Sequence, residues 1–140
     1  MGIQIRLMQP EDYTSAIQLW QELPGLGLSS ADREEAIQAF LKRNPNTCFA
    51  AAQDKIILGT VLGGSDGRRG YLYHLAVHAD YQKQGLGSTL VQTCLDALQS
   101  QGIEKCHIFV IADNQEGIQF WQKIGWQRRG DILVMSKEIR

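Results

Sequence analysis

Between residues 47 and 98 the apolar residues change their repeat at one place, and two glycines mark it. Upstream, "CFAAA", "IILGTVLGG" and "YLYHLAV" are short apolar runs cut by the turn-like pair Asp54-Lys55 and the loop "SDGRRG", the pattern of a three-strand meander. Downstream, Leu86, Leu90, Val91, Cys94, Leu95 and Leu98 fall on one stripe of a helix that Gly102 is suited to end. The stretch between them, "YQKQGLGS", is therefore a strand-to-helix junction. A helix fed by a sheet in this way must pack back on it, which confines the chain to architectures that mix the two.

The flanks extend the pattern. "IQIRLM" alternates at period two and predicts a first strand. Pro10 opens a helix carrying Tyr13, Ile17 and Trp20 on one face, with Glu11 and Asp12 at its N-terminus, and the helix should end near "PGLGL". Ser30 is suited to cap a second helix with Ile37, Phe40 and Leu41 on its apolar face, closed by "KRNP". After the long helix, "KCHIFVIA" predicts a buried strand, Asn114 caps the helix "QEGIQFWQKIG", and "DILVMSKEI" predicts a last strand. The fold class is α/β (α+β), a mixed sheet with helices packed on it.

A chain of 140 residues fits one domain, so residues 1–140 read as a single unit. With 44% hydrophobic and 21% charged residues the composition is that of an ordinary globular protein. A net charge of −1 supplies no bulk field toward nucleic acid or an anionic bilayer. "MGIQIRLMQPED" shows no basic leader ahead of an apolar core, and no apolar run approaches the ~18 residues of a membrane span. The expectation is a cytoplasmic protein with no nucleic-acid or membrane partner. Cys48, Cys94 and Cys106 lack the spacing of a zinc site or redox pair and read as buried thiols, with no metal implied.

The junction has chemistry of its own. A helix start presents N–H groups that no earlier turn can accept, and its dipole favours negative charge. Gly85 and Gly87 remove side chains that would hold a diphosphate away from the N–H groups of Gln84, Gly85, Leu86, Gly87 and Ser88, and Lys83 adds a positive charge. Two glycines alone do not separate such a cradle from a tight turn. No G-x-x-x-x-G-K-[ST] string exists, and position 90, where a dinucleotide fingerprint needs its third glycine, is Leu90.

The segment "LAVHADYQKQGLGSTLV" resembles the acyl-CoA signature of the GNAT-type N-acetyltransferases, Q/R-x-x-G-x-G/A after a strand, with Gln82, Gly85 and Gly87 at its fixed positions. "ADNQEGIQFWQKIGW" resembles the family's A-x-N-x-x-A-x-x-F-Y-x-x-x-G-F segment, and the order of elements matches over nearly the whole chain. The resemblance implies that acetyl-CoA, as cosubstrate, lies where the fourth and fifth strands splay apart. Its pyrophosphate would sit on Lys83, Gln84, Gly85, Leu86, Gly87 and Ser88, and its pantetheine arm would pair with the backbone of Leu75, Ala76 and Val77 like an added strand. Asn114 would contact the cofactor through its side chain and Phe120 would pack against it.

Acetyl transfer to an amine needs an unprotonated amine, a polarised carbonyl and a proton for the departing thiolate. The Val77 N–H is the candidate donor to the oxyanion. Where the family often has a tyrosine, this chain has Trp121, whose indole N–H is no acid at neutral pH. Strand alternation predicts Tyr71, Tyr73 and Leu75 on one face, with Leu72, His74 and Ala76 on the other. Tyr73, then Tyr71, are thus the candidate catalytic, proton-handling residues, and His74 and His78 read as structural.

In this family the first two helices and their connection cover the acceptor. Asp32, Glu34 and Glu35 read there as compensation of a helix N-terminus. A small amine, an amino acid and a protein N-terminus all stay open as acceptors, and the family's last strands allow a homodimer. The resemblance implies an acetyltransferase; the departure at Trp121 supports as its rival a non-catalytic acyl-CoA-binding regulatory domain, and a nucleotide-binding module is a weaker third reading.

Overall fold

Alternation at the N-terminus forms β1 (Gln4–Leu7), and Pro10 opens a 3-10 turn, Pro10–Asp12, that runs into α1 (Tyr13–Glu22), because the fixed φ of proline suits a helix start. These elements come from a computed structural model that describes residues 2–139. One unit of the chain extends to Phe109 and a second begins at Val110. In the first, α2 (Glu34–Arg43), β2 (Cys48–Gln53), β3 (Ile56–Ser65), β4 (Gly70–Val77), α3 (Leu86–Ser100) and β5 (Cys106–Ile108) follow in the predicted order. The sheet runs β1-β2-β3-β4-β5, antiparallel up to β4 and parallel between β4 and β5. Helix α3 is the crossover that a parallel pair requires.

Two cores result. On one face, Ala16, Leu19 and Trp20 of α1 and Ile37 and Leu41 of α2 close on Cys48, Ala50, Ala52, Ile57, Leu62 and Ala76 of the sheet. On the other lies the stripe of α3, with Leu90, Val91, Cys94 and Leu98 buried. The helix approaches so closely at Gly63 that a Cβ there would overlap the Cys94 sulfur and lie 2.6 Å from the Thr47 carbonyl oxygen. Only a glycine admits that contact.

Three expectations need correction. The second helix does not start at Ser30: Ser29 caps a 3-10 turn, Ser30–Asp32, and Arg33 is extended (φ −63, ψ 157), so α2 begins at Glu34. The fifth strand is shorter than "KCHIFVIA", pairing with β4 only through Cys106–Ile108. The last strand is not formed: the second unit holds α4 (Gln115–Lys123), and residues 126–139 have no regular structure. That unit contains no strand among the described residues. Among the described residues no helix is long and apolar enough to cross a membrane.

Candidate active site

Strand β4 carries an irregularity that its sequence does not announce. Leu62 faces Tyr73, yet two residues earlier on β3 Thr60 faces Ala76, so β4 has one extra residue between these pairs, a β-bulge. His74 sits in it with φ 48. The bulge breaks the predicted alternation. The Tyr73 ring meets Phe40 of α2 edge-on at 6.0 Å, and the His74 ring lies 4.7 Å from Trp20 of α1, so consecutive residues face the same layer of helices. Ala76, opposite Thr60, belongs to that core as well, and alternation between it and the bulge turns Leu75 to the opposite face. His74 therefore shares the side of Tyr71 and Tyr73, and Leu75 leaves it.

The bulge also decides which backbone groups are free. Parallel pairing with β5 covers β4 only at Gly70, Tyr71 and Leu72. A bulge bends its strand and ends pairing on the far side, which accounts for the short β5. At the other end, His78 N–H donates to the Leu58 carbonyl at 2.8 Å. Neighbouring strand residues point their amides in opposite directions, so the N–H and C=O of Val77 are turned to the bare edge. In agreement, the Val77 carbonyl accepts from the Gln82 side chain at 2.9 Å.

Beyond β4 a 3-10 turn, Ala79–Tyr81, leads to the junction. Lys83 (φ 64) and Gly85 (φ 84) are both left-handed, and Gly85 precedes α3 as its N-cap. The first bond of the helix runs from Thr89 N–H to the Gly85 carbonyl at 3.0 Å, and no side chain caps this end. The N–H groups of Leu86, Gly87 and Ser88 therefore have no earlier turn to donate to. Lys83, Gln84 and Gly85 are exposed beside them.

Tyr71 and Tyr73 share an aromatic cluster with Phe109, at ring separations of 6.4 Å each. Burial, with smaller contributions from Tyr71 and Cys106, pushes the Tyr73 phenol above its ordinary value; it stays protonated at neutral pH and is no base. The thiols are free, and burial holds them protonated at neutral pH, pushing Cys48 and Cys106 up to about 11 each and Cys94 further. In the second unit the Asn114 side chain accepts from Gly117 N–H at 3.0 Å, capping α4, and Phe120 packs on Trp121 at 5.3 Å.

A strand with a bare edge, followed by an uncapped helix start, is what the family signature describes, and the model described as "Acetyltransferase (GNAT) family" matches residues 13–126. The chain belongs to the GNAT acetyltransferases. It is similar to a GNAT relative of Yersinia pestis named acetyltransferase, 31% identical over 137 residues that make 98% of this chain and 96% of the relative. An acetyltransferase of Sodalis glossinidius is 28% identical over the same shares. Among solved structures, the PaiA N-acetyltransferase of Thermoplasma acidophilum in complex with coenzyme A matches 91% of each chain with a TM-score of 0.79 at 20% identity, and shows the same fold.

Sequence reasoning missed one group in this GNAT domain. Asp32, read as helix-charge compensation, is buried; its carboxylate accepts from Ser29 N–H at 2.9 Å and meets His74 Nε2 at 2.5 Å. Tyr13 donates to the Asp32 carbonyl at 2.7 Å. The partners lie 42 residues apart in sequence, and no local pattern connects them.

Proposed function

We propose that this GNAT domain, residues 1–140, transfers the acetyl group of acetyl-CoA to a primary amine by direct attack. The observation that carries the reading is the bare edge of β4, with Val77 N–H and C=O turned outward next to an uncapped helix start. The pantetheine arm lies along Leu75, Ala76 and Val77 as an added strand. The pyrophosphate takes the N–H groups over Lys83, Gln84, Gly85, Leu86, Gly87 and Ser88, with the Lys83 charge beside it. Gln82 holds the turn through the Val77 carbonyl.

The neutral amine nitrogen attacks the thioester carbon, Val77 N–H donates a hydrogen bond to the oxyanion, the C–S bond breaks as the carbonyl re-forms, and the proton that the nitrogen loses ends on the CoA sulfur, giving an amide and a free thiol. Tyr73, protonated, donates a hydrogen bond to the departing sulfur or orders the acceptor, with Tyr71 beside it. None of the three raised thiols is suited to carry the acyl group, which supports direct attack. The acceptor is a small amine, an amino acid or a peptide N-terminus, and the protein works in the cytoplasm.

The test is thiol release from acetyl-CoA across a panel of amines and peptides, beside calorimetric binding of CoA. Turnover with any primary amine supports the enzyme. Binding of CoA without turnover on any acceptor would replace it with an acyl-CoA-responsive regulatory domain, and absence of binding would remove both.

A further inference from the structure

The bulge in β4 is held open by side chains from outside the strand. A non-glycine residue in the left-handed region costs about 1–2 kcal/mol, so something must hold His74 there. Its carbonyl oxygen accepts from Thr60 Oγ1 at 2.8 Å, and the same Oγ1 accepts from Trp20 Nε1 at 2.9 Å. The direction of this relay is unambiguous. An indole has only a donor, and a carbonyl only accepts, so the single hydroxyl proton of Thr60 must point at His74. Thr60 is fully buried and Trp20 is 1% exposed, so neither group has water as a substitute. The His74 ring is fixed from the other side by Trp20 and Asp32.

What the relay protects is the identity of the amide at the bare edge. With the extra residue in place, Gly59 faces Val77. If β4 ran on in the register of the Leu62–Tyr73 pair, Gly59 would face Ala76 and Leu58 would face Val77, and the Val77 N–H would turn inward to the Leu58 carbonyl that His78 now occupies. A slip of one residue exchanges the two sides of a strand. We propose that Thr60 is a positioning residue for the cosubstrate: acting through the His74 carbonyl, its hydroxyl locks the bulge that presents Val77 to the open edge. This rests on the reading of acetyl-CoA along that edge.

Two substitutions separate the hydroxyl from the shape. Thr60→Val keeps the volume and leaves the Trp20 N–H and the His74 carbonyl buried without a partner; Thr60→Ser loses a methyl group and keeps the relay. Calorimetry with acetyl-CoA should show Thr60→Ser within about threefold of wild type and Thr60→Val weaker by about tenfold or more, the size of one lost buried hydrogen bond. Amide hydrogen exchange gives a signature independent of ligand. In wild type His78 is protected and Val77 is not, and Thr60→Val should reverse the pair while Thr60→Ser keeps it. A packing role would instead make Thr60→Ser the worse variant. If wild type binds acetyl-CoA and Thr60→Val binds equally with unchanged exchange, the lock is overturned and the proposed function stands; if wild type does not bind, both fall. Should Thr60→Val not fold, Thr60→Ala against Thr60→Ser makes the same comparison, since these two differ by the hydroxyl alone.

Discussion

His74 and Lys83 are nine positions apart and both adopt the left-handed backbone without being glycine, yet they are held in opposite ways. His74 lies under the α1 and α2 layer, with its carbonyl on Thr60, its ring against Trp20 and its imidazole on Asp32. Lys83 is exposed and is followed two residues later by Gly85, which is left-handed at no steric cost. One station is fixed by what surrounds it and the other by what it lacks. The difference teaches that a site made of main-chain groups needs rigidity where the backbone chooses a direction, and openness where it must admit an anion.

Four substitutions test this contrast, in falling order of effect. His74→Gly relieves the left-handed strain of about 1 kcal/mol but leaves the buried Asp32 carboxylate with the Ser29 N–H alone and opens a cavity beside Trp20, so a net loss of roughly 3 kcal/mol of stability is expected in urea unfolding; an unchanged midpoint would show that the bulge needs no anchor. Gly87→Glu puts bulk and negative charge at the helix start, and acetyl-CoA affinity should fall by roughly 100-fold, about 2.7 kcal/mol, with the fold retained by circular dichroism. Retained affinity would overturn the diphosphate role of the junction. Tyr73→Phe should lower turnover about tenfold and leave acetyl-CoA affinity unchanged; full turnover at saturating acceptor would remove Tyr73 from the mechanism. Lys83→Gly should stabilise the protein by up to about 1 kcal/mol through relief of the same kind of strain, while weakening acetyl-CoA a few-fold through loss of the charge. A destabilisation comparable to His74→Gly would erase the contrast between the two stations.

A pair of carboxylates, Glu11 and Asp12, shows how far local reading goes. Both stand where a helix start favours negative charge, and the sequence reading treats them alike. Asp12 is instead buried, and its carboxylate accepts from the two terminal guanidinium nitrogens of Arg6 at 2.7 and 2.9 Å and from Gln9 N–H at 2.7 Å. Burial pushes its carboxyl up, and the Arg6 pair and the Gln9 N–H more than reverse this, leaving it below the usual carboxylate range. A lowered carboxyl contributes stability that is present above the unfolded value near 3.8 and is lost as pH falls through the folded one.

The elements that sequence made legible are those whose signal is local. The stripe of α3, the glycines at 85 and 87, and the runs of β2, β3 and β4 each lie within one window, and their order placed the family. The bulge was not legible because "YLYHLAV" has no glycine or other mark at the extra residue, and a period-two reading assumes a regular strand. The relay from Trp20 through Thr60 to His74 joins residues 40 and 14 positions apart, and Asp32 meets His74 across 42, contacts that only the packed core brings together. The last strand failed for the complementary reason. "DILVMSKEI" has strand-like residues, but strand propensity reflects fit to a packed sheet and does not itself make one.

The open edge of β4 has a consequence for how such a protein can change over generations. Acetyl-CoA paired along it, as proposed, would be held by the amides and carbonyls that every residue brings, so binding leaves the side chains of Leu75 and Val77 free to drift as long as the strand keeps its length and its one extra residue, while Ala76 stays tied to the core. Heritable function then resides in a shape rather than in an alphabet, and lineages can share the site while sharing few letters.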